Sequence, residues 1–349
     1  MALWNGTALN DNATSTLVNK AYQNQAINIV SETNGLLYAL RNEDQKLNAR
    51  KAYKMQRVEA IGGDKLRVRL FGKLSTIATV ADGAAELVPQ TPSYEGAAYG
   101  AAVFDLTHFF QTFGVPSSEY RRFVGNEAMT ANWLVEKSQE FKAAKNDTLH
   151  TLIDAATAAA GTRTVLGNWQ QAVSDGVTNV AGFNETLFAS YGTISRTDAA
   201  NVDYRGNLKD INGALTLDHL AEARLKCGRK NSMAQGADLV LAGDTQFLRL
   251  QSLIEAKNQV MVQRMEDWVQ FGGQYFGYGG MTVTYDPKLA SNVIGVLDTS
   301  TWLYWGDKEF RTSGWKESER ASGMIIKHDS FEQLICLSPQ NNWKGIRLT

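Results

Sequence analysis

Residues 126–161 read NEAMTANWLVEKSQEFKAAKNDTLHTLIDAATAAAG and carry the strongest helical pattern in the chain. Asn126 suits the helix N-cap, and Gly161 is a natural C-terminal stop. About 35 helical residues would form a rod of about 50 Å, whereas helices in globular proteins average about 11 residues. We therefore expect a spine or strut here. The apolar residues that recur at helical spacing are Met129, Trp133, Phe141, Leu149, Leu152, Ile153 and Ala156.

A long two-stranded hairpin is predicted upstream of this helix, over residues 62–110. Gly62-Gly63-Asp64 is a turn signal, and residues 65–70 alternate polar and apolar side chains, as a half-exposed strand does. Residues 101–110 become apolar again and are predicted to form the returning strand. Because an isolated hairpin is only marginally stable in water, this pattern indicates that the hairpin associates with another surface.

The rest of the chain mixes helices and strands without a repeating strand–helix–strand order, which predicts the fold class α+β. One helix is predicted from the cap Thr216 to Gly228, and another over about 244–255. The strand-like runs are 237–242, 281–285, 293–297, 324–327 and 331–337.

The composition excludes several classes of protein. Of the 349 residues, 44% are apolar, which is too many for a disordered chain. The 35 basic and 36 acidic residues give a net charge of −1, which argues against a strongly basic DNA-binding module. No apolar run reaches the roughly 18 residues of a membrane-spanning helix, so no membrane partner is expected. The cysteines, Cys227 and Cys336, form no disulfide framework and indicate folding in a reducing compartment.

One segment, residues 41–73, departs from this charge balance. It contains four acidic residues, which leaves a local excess of six positive charges. Such a segment is either a solvated charged face or a surface that faces nucleic acid. The basic residues are Arg41, Lys46, Arg50, Lys51, Lys54, Arg57, Lys65, Arg67, Arg69 and Lys73.

No local motif for catalysis, cofactor binding or metal binding is present. No two of the four histidines lie four residues apart, and there is no His-Glu-x-x-His or Cys-x-x-Cys pattern. A nucleophile elbow and a phosphate-binding loop are also absent. We therefore predict no catalytic residues, no cofactor and no metal ligands, and we expect that the chain is not an enzyme. The sequence does not exclude a site assembled from residues that are distant from one another in the chain.

Three stretches, taken with the order of the predicted elements, resemble one known family. They are LTLDHL (215–220) with ADLVL (237–241), GMTVTYD (280–286) with VIGVL (293–297), and FEQLICLSP (331–339). The order of arm, basic segment, hairpin, long helix, mixed region and closing strands is similar to that of the major capsid proteins of tailed bacteriophages. This family has the Hong Kong ninety-seven type of fold.

The resemblance implies a division of the chain into four parts. The N-terminal arm would comprise residues 1–61, and the extended hairpin, or E-loop, residues 62–110. The peripheral (P) domain would comprise residues 111–163, with the spine helix, together with 313–349. The axial (A) domain would comprise residues 164–312.

The resemblance also implies the function and the partners. Copies of the chain would form pentamers and hexamers of an icosahedral head shell around double-stranded DNA. The shell would assemble in the cytoplasm of the host bacterium and become part of the virion. Only about 61 residues precede the E-loop, so we expect a separate scaffolding protein if Met1 is the translated start. A portal protein and a decoration protein are further expected partners, and the near-zero net charge suits weak contact with DNA.

The resemblance also implies a role for the basic segment, residues 41–73. The resemblance implies that its residues are inner-surface or inter-subunit charges. The residues assigned to this role are Arg41, Lys46, Arg50, Lys51, Lys54, Arg57, Arg67 and Arg69.

Three alternatives remain at this stage, of which the third, nucleic-acid binding as the main function, is disfavoured by the net charge. A bacterial encapsulin shell would have the same fold but would enclose protein cargo. A soluble α+β enzyme with a dispersed site would be a monomer or a small oligomer with a deep polar pocket.

Overall fold

The computed structural model describes residues 36, 56–58, 65–74, 94–123, 127–154, 167–228, 236–256, 275–306, 311–317 and 323–349. The α-helices are α1 (Ser117–Phe123), α2 (Glu127–Ile153), α3 (Trp169–Ala172), α4 (Leu217–Lys226) and α5 (Asp244–Ala256). Short 3-10 helices lie at Glu185–Phe188, Ala199–Tyr204, Thr299–Thr301 and Pro339–Asn341. The strands are β1 (Gln56–Val58), β2 (Lys65–Leu74), β3 (Tyr94–Asp105), β4 (Thr107–Pro116), β5 (Asn179–Val180), β6 (Phe183–Asn184), β7 (Ser190–Tyr191), β8 (Ile194–Ser195), β9 (Asn207–Gly213), β10 (Leu239–Ala242), β11 (Tyr275–Tyr278), β12 (Met281–Tyr285), β13 (Val293–Leu297), β14 (Trp302–Gly306), β15 (Arg311–Thr312), β16 (Lys316–Glu317), β17 (Gly323–Cys336) and β18 (Trp343–Leu348). Helices and strands are interspersed, which confirms the predicted α+β class.

The chain divides into two compact units. The described residues of the first unit lie within 109–148 and 309–330. Those of the second lie within 32–108, 149–308 and 331–349. The predicted boundaries of arm, E-loop, P domain and A domain stay a prediction.

A small aromatic core holds the first unit together. Trp133 of α2 is buried with Val115 and Ile326, and its ring stacks on that of Trp315 with a centroid separation of 5.3 Å. Strands β15 and β16 pair with the first half of β17, in antiparallel register. Trp133 is one of the apolar residues that the helical spacing selected, so the predicted apolar face of the helix supplies this core.

The long helix is confirmed, but it is shorter than predicted. It ends at Ile153 rather than at Gly161, and the predicted cap, Asn126, lies outside the described residues. Asp154 leaves the helix because both its side chain and its main chain bind a later segment. Its Oδ1 accepts a hydrogen bond from Trp169 Nε1 at 2.8 Å, and its carbonyl oxygen accepts one from Gln170 Nε2 at 2.7 Å. No described helix is both long enough and apolar enough to cross a lipid bilayer.

A mixed sheet forms the centre of the second unit, with the strand order β11-β12-β10-β13-β18-β9. The pairs β10–β12 and β9–β18 are parallel, and β10–β13 and β13–β18 are antiparallel. Strands β10 and β13 are buried along their whole length. Short, continuous apolar runs are typical of strands covered on both faces, which explains why these runs could be located from the sequence.

Helices α4 and α5 pack on this sheet. Leu220 of α4 and Leu250 of α5 belong to one buried cluster with Val240, Val296 and Trp343. The helix predicted from the cap at Thr216 is confirmed. The Thr216 hydroxyl accepts the main-chain N–H of His219, and the His219 ring accepts the N–H of Thr216, so this helix begins with a reciprocal capping pair.

The closing strands differ from the prediction. The runs 324–327 and 331–337 are one strand, β17, and the last strand is β18, which the sequence analysis missed. Strand β18 lies between β13 and β9, in the interior of the sheet. The sequence of β18 was misleading because it contains Lys344. Lysine normally indicates a surface position, but Lys344 is buried.

We expect the substitution Gly295→Ala to lower the free energy of unfolding by about 1–3 kcal/mol, the usual cost of overpacking a core. A methyl group at Gly295 would lie 2.7 Å from a ring carbon of the fully buried Trp169. Urea denaturation followed by tryptophan fluorescence measures the change. In Gly314→Ala the new methyl meets nothing within 4 Å, so this control is expected to match the parent protein. Equal stability of both variants would contradict the packing.

Candidate functional site

Strands β2 and β3 form a two-stranded antiparallel hairpin, in agreement with the predicted excursion. The register runs from Lys65 opposite Asp105 to Leu74 opposite Tyr94. In the part of the chain that the structure describes, neither strand pairs with a third one. The returning strand begins at Tyr94 and ends at Asp105, so the predicted range 101–110 was wrong, and residues 107–116 form the separate strand β4.

The base of the hairpin packs against the loop between β7 and β8. Ala102 and Phe104 are buried, and Val103 N donates a hydrogen bond to Gly192 O at 2.7 Å. The Phe104 ring meets Tyr191 edge-on, with 5.1 Å between the centroids. Gly192 has a positive φ of 57°, and a Cβ there would lie 2.5 Å from the Phe104 ring. The loop therefore needs glycine at this position to receive the hairpin base.

Arg196 is fully buried in the same segment and organises it. Its Nη1 and Nη2 each donate a hydrogen bond of 2.6 Å, to the carbonyl oxygens of Gln171 and Ala172. Its Nε donates to Tyr204 O at 3.3 Å, and its guanidinium carbon lies 4.8 Å from the centroid of the Tyr191 ring. Burial lowers the pKa of Arg196, because the charged form loses water. Three carbonyl acceptors and an aromatic face offset that loss.

A buried ion pair lies beside a cavity of about 800 Å³. Lys344 Nζ donates to Glu185 Oε1 at 2.7 Å, and the two side chains are 1% and 2% exposed. The ammonium group also lies 5.8 Å from the centroid of the Phe188 ring. Burial lowers the pKa of Lys344, and the negative charge of Glu185 opposes this effect. Both residues line the cavity, together with apolar side chains such as Val293.

The structure does not test the role assigned to the predicted set of basic residues. Arg41, Lys46, Arg50, Lys51 and Lys54 lie outside the described residues. Arg57 lies on β1, which runs parallel to β14, and Arg67 and Arg69 lie two positions apart on β2. Their assignment as inner-surface or inter-subunit charges stays a prediction.

Sequence reasoning missed the buried polar groups of the second unit. Glu185 and Lys344 are 159 residues apart, and no local pattern links them. Among the described residues one group has the composition of a metal site, namely His150, Asp154 and Asp286. The available signal was the spacing of four between His150, in the last turn of α2, and Asp154, directly after it. The third member lies 136 residues further along the chain from His150.

We expect Glu185→Gln to lower the free energy of unfolding by about 3–5 kcal/mol, because it leaves the buried ammonium group of Lys344 without its partner. Replacing both members, with Lys344→Met in the same chain, should recover most of that loss. Urea denaturation of the two variants measures both effects. A loss below about 1 kcal/mol in the single variant would show that the pair is not buried as described.

Comparison with known proteins identifies the fold. No protein-family model and no curated protein matches the chain. A solved structure of the cyanophage A-1(L) capsid asymmetric unit matches with a TM-score of 0.58 at 12% identity, over 96% of this chain and 98% of that one. The capsid of an empty GTA particle matches with a TM-score of 0.53 at 11% identity, over 93% and 94% of the two chains. A structure from Mycobacterium phage Adephagia matches with a TM-score of 0.50 at 10% identity, over 98% of both chains. The chain therefore has the Hong Kong ninety-seven type fold of the major capsid proteins of tailed bacteriophages.

Proposed function

We propose that this chain is the major capsid protein of a tailed bacteriophage, and that it self-assembles into an icosahedral head shell around double-stranded DNA. The observation that supports this most is the extent of the structural match. The cyanophage capsid chain is matched over 98% of its length by 96% of this chain, so the similarity covers the whole subunit and not a shared substructure.

The hairpin supplies a physical reason for assembly. Its base is held by Phe104 and by the hydrogen bond from Val103 to Gly192, so it leaves the second unit from a defined place. Beyond the base, the main-chain groups on the outer edges of β2 and β3 have no strand partner among the described residues. Unpaired strand edges favour pairing or packing with another chain. In a shell, a neighbouring copy supplies that surface.

A closed shell follows from repeated heterologous contacts between copies. Head-to-tail interfaces form rings when the rotation closes, and pentamers and hexamers are such rings. Each copy contacts several others, so contacts that are weak one by one become strong together. The proposed partners therefore include other copies of the chain first, then a scaffolding protein, a portal and a decoration protein. Assembly would take place in the host cytoplasm.

The charge balance suits a container for DNA. With a net charge of −1, the subunit does not offer a strongly basic lining that would hold the packaged DNA tightly. The excess of positive charge in residues 41–73 is then a local feature of the inner surface or of subunit contacts. This role requires no catalytic residue in the chain.

We expect full-length chains, expressed alone or with a scaffolding protein, to form shells visible by electron microscopy. A variant in which an Asn-Gly turn replaces residues 71–99, between Leu70 and Gly100, should form no shells. This turn closes a short hairpin in the observed register and keeps the contacts of Val103 and Phe104. An unchanged melting temperature of the shortened subunit shows that folding is intact. Shells from this variant at the parent yield would contradict the role of the hairpin.

We expect charge reversal of Arg50, Lys51 and Arg57 to glutamate to reduce particle yield or DNA retention at least tenfold, because it replaces three positive charges by three negative ones. The matched control exchanges Arg and Lys at the same positions and keeps the charge. Particle counts and nuclease-protected DNA measure the two effects. Normal particles with normal DNA content in the reversed variant would refute the assignment, and particles filled with a protein cargo instead of DNA would favour an encapsulin shell.

A further inference from the structure

The two faces of the central sheet of the second unit are covered by different parts of the chain. Successive residues of a strand point to opposite faces, and residues directly opposite each other in a strand pair share a face. Ile294 and Val296 of β13, with Trp343 of β18, belong to the buried cluster that includes residues of α4 and α5. Gly295 and its register partner Lys344 therefore point to the other face.

The segment 167–206 contributes to the cover of that other face. A Cβ at Gly295 would lie 2.7 Å from the ring of Trp169, and Lys344 Nζ donates to Glu185 Oε1 at 2.7 Å. The cavity of about 800 Å³ lies in this layer, and both members of the ion pair line it. The cavity and the helices α4 and α5 are therefore on opposite sides of the central sheet.

Each of these two sides exposes apolar side chains. One side, the α4–α5 surface, presents Leu225 and Leu248, which are 82% and 61% exposed. The other side, the cavity surface, presents Leu187, which is 56% exposed and lines the cavity together with Val180 and Phe183. A single exposed leucine needs no explanation, but projecting leucines on one side and a concave apolar site on the other can fit together between copies.

The charges of the two surfaces are also complementary. The last turn of α4 carries Arg224 and Lys226, and Lys226 is paired with a carboxylate of the same helix, which leaves Arg224 as excess positive charge. Residues 174–200 contain three acidic residues and one basic residue, the fully buried Arg196. Lys344 neutralises one of the acidic residues, so the solvent-accessible charges left in this segment are negative. Opposite charges favour contact between the surfaces and help to select its orientation.

We propose that copies of the chain associate head to tail, with the α4–α5 surface of one copy seated on the cavity surface of the next. This inference rests on the proposed function, and it names the surfaces that join neighbouring copies within a ring. Two different surfaces on opposite sides of one unit give a heterologous interface, which leaves one free surface at each end until the ring closes. An interface between identical surfaces would stop at a dimer.

Cross-linking of the full chain in assembled particles tests the pairing. The double variant Leu187→Cys, Leu225→Cys places one thiol on each surface, and both positions are exposed, so the subunit should fold normally. The native thiols of Cys227 and Cys336 are buried and should not react. With a short bis-maleimide reagent, we expect a ladder of covalent multimers that ends at the size of the closed ring, whereas each single variant should stay uncross-linked.

The matched control is Val135→Cys with Leu187→Cys, because Val135 is an exposed apolar residue of the first unit and should give no ladder. Independently, Leu225→Glu with Leu248→Glu should lower the particle yield at least tenfold at an unchanged melting temperature, because it places carboxylates in the apolar contact.

Four results would overturn this inference and leave the proposed function intact. They are particles of the Leu187→Cys, Leu225→Cys variant without cross-links, dimers alone, an equal ladder in the control, and parent yield from the Leu225→Glu, Leu248→Glu variant. A parent chain that forms no particles would contradict the proposed function and this inference together.

Discussion

The guanidinium group of Arg196 determines how a large irregular segment folds. The regular elements within residues 167–206 are only two to six residues long, so main-chain carbonyl groups there need partners from side chains. Arg196 supplies donors to three such groups, at the end of α3 and at Tyr204. Its planar fork has fixed geometry, so the two ends of the segment come together in one arrangement only. Replacing water around this charge is costly, and the three carbonyl acceptors together with the face of the Tyr191 ring offset that cost.

The position of the hairpin follows from that arrangement. The Tyr191 ring lies under the guanidinium group of Arg196 and meets the Phe104 ring in a T-shaped arrangement. The Tyr191 hydroxyl accepts the main-chain N–H of Cys336 at 2.8 Å. One aromatic ring therefore joins the irregular segment, the hairpin base and the strand β17. The hairpin is thus fixed at one end, and among the described residues the outer edges of β2 and β3 pair with no third strand. This combination of a fixed origin and unsatisfied edges is what a subunit needs if a neighbour is to complete it.

The sequence predicted those elements whose causes are local. The cap at Thr216 and the short apolar runs of β12 and β13 depend on neighbouring residues, and their positions agree with the structure. The polar interior could not be foreseen, because a lysine or an arginine indicates a surface position unless its distant partner is known. For this reason β18, the strand that contains Lys344, was missed. The end of α2 was missed in the same way, since Asp154 binds the side chains of α3.

The order of strands in the central sheet makes its continuity depend on the last strand of the chain. Strand β18 lies between β13 and β9, and it pairs antiparallel with the former and parallel with the latter. Before β18 is in place, β9 and β13 both have an unpaired edge, and Trp343 is missing from the core that α4 and α5 cover. The buried amide of Asn342, which binds the main chain of Ser338 and Asp298, then fixes the turn that leads into β18. The central sheet is therefore continuous only through its C-terminal strand, which joins two strands that are distant from it in sequence. Because unpaired strand edges favour pairing with other chains, a central position for β18 also protects the edges of β9 and β13 in the folded subunit.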